Sequence, residues 1–296
     1  MRGEQSPIEL LYTDPDVDPI NAVYGGHPLA DYLNRQLADA LVEAVQAKLA
    51  ESPQAKLRVF EIGAGGGATS KAVLQRLQPY RQHLAEYCLS DLAESALTGP
   101  LAQLLGAEYP FLRTHRFDVQ KPPAQQSIAM GHYDFVIASN VLHVARDIRA
   151  SLANAKALLR DQGQLLLIEM SAPSLLGHLS LGLLDGWWSY DDKDLRIPGT
   201  PALSPATWSQ LLQQQGFADI RFAGQQAKAL GQQVTVAVNT EQVQHTPLFK
   251  PNGATKPAAA ASLTRGGRQP AEASMHRGIL SQLSRSLSLP CLLYTS

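Results

Sequence analysis

Apolar residues recur along this chain in two rhythms, one typical of helices and one typical of buried strands. Between residues 28 and 50 they return every three or four positions, as at Leu33, Leu37 and Leu41, and this spacing predicts a long amphipathic helix. Short runs that are almost wholly apolar follow at 57–62 and 133–138. Such runs are typical of strands that are covered on both faces of a sheet.

Strand-like runs alternate with helical segments through most of the chain. The predicted strands cover residues 57–62, 87–91, 111–117, 133–138 and 165–168, and the predicted helices between them cover 68–77, 97–105 and 148–159. We expect a turn at 161–163 to end the last of these helices. The alternation predicts a doubly wound parallel sheet.

One more helix and two closing strands are predicted beyond this alternation. Ser204 is a suitable N-cap and Pro205 a suitable first residue for a helix that extends to 215, where Gly216 ends it. Strands are predicted at 220–222 and 234–238. From about residue 240 the composition turns to Pro, Gly, Ala and Ser, which is typical of a linker.

Composition and charge exclude several classes of protein. The 296 residues are 45% hydrophobic and 17% charged, which indicates a folded chain, and the formal net charge of −1 gives no overall case for binding nucleic acid or an anionic membrane. The most apolar stretch, 175–188, is too short to span a bilayer. Cysteine and histidine spacing predicts no metal site, and the scarcity of cysteine suits a cytoplasmic protein.

A glycine-rich loop follows the first predicted strand. Gly63, Gly65 and Gly67 would let the backbone turn tightly and approach a ligand where a Cβ atom would collide. The loop fits the Glu-x-Gly-x-Gly-x-Gly pattern of S-adenosylmethionine (SAM) binding, but it also fits the Gly-x-Gly-x-x-Ala pattern of dinucleotide binding. A plain structural turn is the third interpretation.

Acidic residues at successive strand ends favour SAM. Glu61 lies two residues before the first glycine, where a carboxylate can meet the methionine amino group directly or through water. Asp91 ends the second strand and could accept hydrogen bonds from both ribose hydroxyls, and Asp118 ends the third within reach of the adenine amino group. Singly, each acid could equally be a helix cap or a solvated strand end. We assign Val119 and Asn140 to the same predicted pocket.

A histidine and a glutamate follow two predicted strands that should be neighbours. His143 comes after the fourth strand and Glu169 ends the fifth. Neighbouring strands lie about 4.8 Å apart, so both side chains should reach the same rim of the sheet. A carboxylate fixes the tautomer of an adjacent imidazole and raises its basicity, which suits proton removal near neutral pH. Taken alone, His143 could instead be a buried histidine with a helix cap nearby.

The sequence resembles the methyltransferase domains embedded in modular polyketide synthases, especially those of the trans-acyltransferase type. The resemblance covers about residues 8–240 and is strongest in stretches that include Asp-Tyr-Leu-Asn, the glycine loop, Asn-Val-Leu-His and Gly-Trp-Trp. These stretches are 24–34, 61–70, 139–147, 186–188 and 196–204. Trp187 and Trp188, which lie before the last predicted helix, would either wall a substrate channel or pack a lid.

The resemblance implies a fold, a cofactor, partners and site residues. The fold is α/β, a class I SAM-methyltransferase Rossmann-like sheet with an N-terminal helical lid, and the cofactor is SAM. The substrate would be a thioester on the phosphopantetheine arm of an acyl carrier protein, beside neighbouring synthase domains. His143 and Glu169 would form the catalytic dyad, and Tyr32 would line the active site.

On this interpretation the chain has four parts. Residues 1–56 form the lid, 57–240 the methyltransferase core and 241–275 a flexible linker, while 276–296 resemble the start of a truncated carrier protein. The reaction expected is C-methylation of the α-carbon of a β-ketoacyl thioester. O-methylation of a β-hydroxyacyl thioester, a non-catalytic scaffold domain and a dinucleotide oxidoreductase are the alternatives.

Overall fold

The computed structural model describes residues 26–179, 181–183 and 186–240. The predicted linker at 241–275 and the carrier-like segment at 276–296 lie outside these residues, as does the first part of the predicted lid. The described strands are β1 (Leu57–Ile62), β2 (Leu84–Asp91), β3 (Leu112–Arg116), β4 (Tyr133–Ser139), β5 (Leu159–Met170), β6 (Phe217–Ala223) and β7 (Gln232–Asn239).

These seven strands form one sheet in the order β3-β2-β1-β4-β5-β7-β6. Strands β1 to β5 are mutually parallel, which confirms the predicted doubly wound arrangement. Strand β7 runs antiparallel to both β5 and β6, so the two predicted closing strands complete one edge of the sheet. The strand order reverses between β1 and β4, and open α/β sheets bind ligands at the carboxyl ends of strands at such a switch point.

Helices cover both faces of the sheet. The described α-helices are α1 (Pro28–Glu51), α2 (Ala68–Leu77), α3 (Glu94–Thr98), α4 (Pro100–Glu108), α5 (Ile148–Leu158), α6 (Leu175–Leu179) and α7 (Pro205–Gln214). As predicted, Ser204 caps α7, since its side chain accepts the N–H of Thr207, and Pro205 is its first residue. Short 3₁₀ turns join several elements, and the one at Leu142–Val144 belongs to the site described below.

Helix α1 contributes a layer of the hydrophobic core. Its buried residues Leu33, Leu37 and Leu41 share one cluster with Val59 of β1 and Val73 of α2. The described part of the segment predicted as a lid therefore packs on one face of the sheet and forms part of its hydrophobic core. A second cluster on the opposite face packs α5 and α7 against the sheet. Because both faces are covered, the central strands read as continuous apolar runs.

Two local predictions differ from the structure. The helix predicted at 97–105 is two helices, α3 and α4, because Gly99 adopts an extended conformation and Pro100 begins a new helix. The turn predicted at 161–163 lies inside β5 and not beyond a helix end, since α5 stops at Leu158. Gln162 has a positive φ of 56°, and the pairing of β4 with β5 shifts register at this point.

Strand β1 carries one buried acid beneath the glycine loop. Glu61 is 1% exposed, and its carboxylate accepts a hydrogen bond of 2.7 Å from the hydroxyl of Tyr87 on the neighbouring β2. Removal from water penalises the charged carboxylate, so burial raises the pKa of Glu61 from 4.5 to about 7, although the bond from Tyr87 lowers it. Between about pH 4.5 and pH 7, Glu61 is therefore protonated in the folded domain and ionised in the unfolded chain.

We expect Glu61→Gln to change how stability depends on pH. The Glu61 contribution to the free energy of unfolding is fully present below about pH 4.5 and decreases up to about pH 7, because the unfolded state binds fewer protons there. Glutamine stays neutral, so the variant should gain up to about 3 kcal/mol relative to wild type by pH 8. Chemical denaturation of both ligand-free proteins from pH 4.5 to 8 measures this difference.

The exposed Glu94 offers the matched control. Glu94→Gln makes the same chemical change at the surface and so measures the effect of losing one carboxylate without the burial of Glu61. A Glu61→Gln difference that stays constant across the pH range would contradict the raised pKa of Glu61.

Candidate active site

A cavity of about 230 Å³ opens at the carboxyl ends of β1 and β4. Five of the predicted cofactor-binding residues line it, namely Gly63, Gly65, Asp91, Val119 and Asn140. Sequence reasoning missed other lining residues that follow the same strand ends, among them Thr69, Leu92, Phe117, Ser139 and Val141. Most of them could have been predicted as sequence neighbours of the residues named above, because a loop that lines a cavity contributes consecutive residues.

The glycines of the loop meet two different requirements. Gly63 has a positive φ of 67°, and a Cβ atom there would lie 2.3 Å from Cγ2 of Val141, so this position is needed for close approach to the chain after β4. Gly65 also has a positive φ, but a Cβ there would meet nothing within 4 Å. Its missing side chain keeps the cavity open for a ligand. Gly67 precedes α2 with a φ of 76° and is not a lining residue.

Asp91 holds the glycine loop against the end of β2. One carboxylate oxygen accepts the N–H of Gly65 at 2.9 Å, and the other accepts the N–H of Ala93 at 2.8 Å. Each oxygen has a second lone pair, so the carboxylate can also accept hydrogen bonds from ligand hydroxyls. The position at the cavity wall fits the ribose role that the sequence predicted.

Three other predicted site residues lie away from the lining of this cavity. Glu61 is buried under the loop as described above. Asp118 accepts the N–H of Gln120 at 3.0 Å and forms an ion pair with Lys121 at 3.1 Å. Tyr32 is partly buried and packs against the core cluster beneath α1. Their proposed roles toward a ligand remain predictions.

A buried hydrogen bond connects α1 to the cavity wall. The hydroxyl of Thr69, near the start of α2, donates to the side-chain oxygen of Asn34 at 2.8 Å. Both residues are buried, and Thr69 lines the cavity. Asn34 belongs to one of the stretches that resemble the polyketide synthase domains. The sequence does not show its contact with Thr69, because that contact depends on how α1 packs against α2.

The cavity has the features that SAM needs. Open space above Gly65 can receive a ligand without a side-chain collision, and the Asp91 carboxylate faces the loop as an acceptor for ribose hydroxyls. Val119 and Phe117 add apolar wall on the side of β3. The residues that line the cavity therefore fit SAM.

His143 and Glu169 meet behind the wall of this cavity, since Glu169 accepts the N–H of the lining residue Val141, and neither of the two is itself a lining residue. Strands β4 and β5 are parallel neighbours, and Ser139 lies opposite Ile168 at their carboxyl ends. The ring Nδ1 of His143 forms a short hydrogen bond with the Glu169 carboxylate, and both residues are 1% exposed. A carboxylate only accepts, so Nδ1 carries the proton of this bond and Nε2 is the other ring nitrogen available for chemistry.

The same carboxylate caps the turn that carries His143. Glu169 accepts the backbone N–H groups of Val141 at 3.2 Å, Leu142 at 2.8 Å and His143 at 3.3 Å. The turn begins at Asn140, which adopts a left-handed conformation with φ of 56°. The sequence left open whether His143 is paired with Glu169 or is a buried histidine near a helix cap. In the structure Glu169 is both the partner of the imidazole and the cap of the turn.

The aromatic segment packs over the histidine. Trp187 is 3% exposed, and its ring meets that of His143 edge to face, with 5.9 Å between ring centroids. It shares a small apolar cluster with Met170 and Ala202. Trp188 is 48% exposed, and its indole N–H donates to the carbonyl of Gly182 at 2.9 Å. Trp187 therefore covers the dyad, whereas Trp188 faces outward.

The described ranges hold neither a metal-binding cluster nor a membrane-spanning helix. Those ranges contain no group of three or more His, Cys, Asp or Glu residues that could hold a metal ion. No helix in this part of the chain is both long and apolar enough to cross a membrane. Cys88 is buried and forms no disulfide within the described residues.

Comparison with known proteins identifies the class of domain. A family profile described as a methyltransferase domain matches residues 60–165. Polyketide synthase PksR of Bacillus subtilis (strain 168) is 44% identical over 237 residues, which are 80% of this chain and 9% of PksR. The crystal structure of the DszA carbon methyltransferase superposes with a TM-score of 0.74 at 28% identity and covers 82% of this chain and 62% of that one.

A second solved structure comes from a complex with a cofactor product. The trans-methyltransferase CalH in complex with SAH matches with a TM-score of 0.63 at 26% identity, over 80% of this chain and 63% of CalH. The chain thus spans less than a tenth of the length of PksR and under two thirds of either solved chain. The matched profile and the agreement of the sheets show that the chain is a SAM-dependent methyltransferase domain, and its sequence is similar to a segment of a polyketide synthase.

Proposed function

We propose that this domain methylates the α-carbon of a β-ketoacyl thioester held on the phosphopantetheine arm of an acyl carrier protein. The observation that carries the proposal is the contact of His143 with Glu169 beside the cofactor cavity. The α-carbon of such a thioester lies between two carbonyl groups, so its proton is acidic enough for an imidazole base. Similarity to a carbon methyltransferase, DszA, supports the same assignment.

The cavity residues would hold the cofactor. Asp91 would accept the ribose hydroxyls, Gly63 and Gly65 would let the backbone approach, and Val119 and Asn140 would form the walls beyond them. When bound, SAM supplies an electrophilic methyl group on a sulfonium centre. The chain after β4 passes from Asn140 in the cavity wall to His143, so one short turn connects the cofactor wall to the proposed base.

His143 would act as the general base. Its Nδ1 is engaged by Glu169, which leaves Nε2 to accept the α-proton. Breaking the C–H bond would leave an enolate, and its α-carbon would form the new C–C bond as the methyl–sulfur bond breaks and S-adenosylhomocysteine leaves. The positive charge that develops on the imidazole lies against the Glu169 carboxylate, which is held by three backbone N–H groups.

Burial of the dyad supports carbanion chemistry. His143 and Glu169 are each 1% exposed, and Trp187 packs on the imidazole ring. An enolate in open water would be reprotonated, so an enclosed site favours transfer of the methyl group over return of the proton.

The class of relative supports a proposal for the partners and the cellular location. The acyl carrier protein and the neighbouring synthase domains are proposed because PksR is a polyketide synthase of which this chain corresponds to 9%. A cytoplasmic location is proposed on the same ground and from the low cysteine content.

Replacing the dyad should stop methylation without removing cofactor binding. We expect His143→Ala to lower kcat by about 10²–10⁴-fold, the usual contribution of a general base, and Glu169→Gln to lower it by about 10–100-fold. The SAM affinity measured by calorimetry should stay within about twofold for His143→Ala, because Nε2 serves the substrate. His83 precedes β2 at the far end of that strand from Asp91, so His83→Ala is the matched control. Full turnover by His143→Ala would reject the dyad.

Gly63→Ala should weaken SAM binding through a specific collision. The new Cβ would lie 2.3 Å from Val141, and the positive φ costs a further 1–2 kcal/mol by order of magnitude, so affinity should fall by about tenfold or more. Adding Val141→Ala removes the collision but not the backbone cost, and should therefore restore part of the affinity. Calorimetric titration of the single and double variants tests this. Equal affinities for Gly63→Ala and wild type would contradict the geometry.

Matched carrier-bound substrates distinguish C-methylation from O-methylation. We expect mass spectrometry to find one added methyl group on a β-ketoacyl carrier protein, with fragmentation placing it at the α-carbon, and none on the β-hydroxyacyl counterpart. An α,α-dimethyl β-ketoacyl substrate has no α-proton and should be inert. Methylation of the hydroxy substrate alone would show that the dyad serves an alcohol.

A further inference from the structure

Arg196 is a buried cation whose donors are all engaged. An arginine side chain carries five N–H donors, and here two of them meet the carboxylate of Asp192. The other three meet backbone carbonyl oxygens, those of His143, Ala145 and Pro201. The guanidinium therefore connects the segment after the aromatic residues to the turn that carries the proposed base.

The distances are those of strong, directed hydrogen bonds. Nε donates to Oδ1 of Asp192 at 2.7 Å, and Nη2 donates to Oδ2 at 2.9 Å. Nη1 donates to the carbonyls of His143 at 2.5 Å and Pro201 at 2.8 Å, while Nη2 reaches that of Ala145 at 3.0 Å. The planar fork of arginine can satisfy these acceptors together, whereas the compact ammonium of lysine cannot.

Asp192 extends the connection to the next helix. Its Oδ2 also accepts the N–H of Ile148 at 2.7 Å, at the first residue of α5. Both Asp192 and Arg196 are buried, at 7% and 5% exposure. The pair therefore contacts the chain on both sides of Arg146 and Asp147, directly after the turn that holds His143.

Opposite charges hold the two ends of this turn. Glu169 accepts the N–H groups at its start, and Arg196 donates to the carbonyl groups of His143 and Ala145 at its end. An anion at the N-terminal end and a cation at the C-terminal end match the partial charges of a helical turn. If either is removed, the backbone that carries the imidazole is fixed from one side only.

We infer that Arg196, oriented by Asp192, is a positioning residue for His143. The inference rests on the proposed function, because it assigns Arg196 to holding the general base and gives it no contact with substrate. A buried ion pair is weak evidence for stability as such, since desolvation offsets much of its attraction. The specific observation here is that the guanidinium bonds the carbonyl of His143 itself.

The surface offers a matched ion pair between the same two segments. Arg146 and Asp191 are 2.9 Å apart, but their side chains are 65% and 69% exposed. Exposed pairs contribute little, and the Arg146 guanidinium is bonded to the Asp191 carboxylate and not to a carbonyl of the turn. Arg146→Lys therefore repeats the chemical change without touching the proposed positioning contacts.

The decisive experiment compares Arg196→Lys with this control. We expect kcat to fall by about tenfold to a hundredfold in Arg196→Lys, the effect of a small displacement of a catalytic group, while the SAM dissociation constant stays within about twofold. In spectra of protein with ¹⁵N-labelled histidine, the Nδ1–H resonance of His143 should move or broaden, because its bond to Glu169 depends on the turn. Arg146→Lys should leave kcat and this resonance unchanged.

Asp192→Asn provides an independent variant if Arg196→Lys does not fold. It keeps an oxygen acceptor but weakens the hold on the guanidinium, so a smaller loss of kcat with unchanged SAM affinity is expected. Wild-type kcat and an unshifted resonance in a variant that binds SAM would overturn the inference. So would loss of SAM binding in both variants, since the pair would then be a requirement of folding.

His143→Ala, measured in parallel, separates this inference from the proposed function. If His143→Ala is inactive and Arg196→Lys fully active, only the positioning role fails. If His143→Ala is active, the assignment of the base itself fails.

Discussion

One carboxylate organises the site. Glu169 is the second-last residue of β5, and its carboxylate accepts hydrogen bonds from Nδ1 of His143 and from the backbone N–H groups that open the turn after β4. A buried carboxylate without partners would be strongly unfavourable, and so would buried N–H groups without acceptors, so each satisfies the other. The position of the proposed base therefore follows from how the chain satisfies its polar groups at one strand end, and this depends on β4 and β5 being parallel neighbours.

The switch point of the sheet joins this dyad to the cofactor cavity. Strand β1 lies next to β4, so the glycine loop after β1 packs against the turn after β4. Gly63 packs directly against Val141. The absence of a side chain at Gly63 thus serves contact between two protein segments, while its absence at Gly65 leaves room for a ligand. The glycine loop is therefore in direct contact with the turn that carries His143.

The segment between β5 and α7 completes the site from a third direction. Trp187 covers the imidazole ring, and the buried pair of Asp192 and Arg196 bonds the backbone below it. One segment thereby both covers the imidazole ring and bonds the backbone that carries it. Conformation of this segment and geometry of the proposed base are physically linked, because the same guanidinium bonds the carbonyl of His143 and that of Pro201.

The sequence alone determined the alternating strands and helices, the parallel sheet, the glycine loop and the strand-end positions of Asp91, His143 and Glu169. Hydrophobic periodicity and glycine are local signals, and parallel strands bring their carboxyl ends to one rim whatever the packing detail. Only the tertiary structure decided which strand-end acids reach the cavity: Asp91 does, while Glu61 lies beneath the loop and Asp118 pairs with Lys121. It alone revealed the contacts of Thr69 with Asn34 and of Arg196 with His143. Such contacts join residues far apart in the chain, and the direction of a side chain beyond a strand end is set by the elements that pack around it.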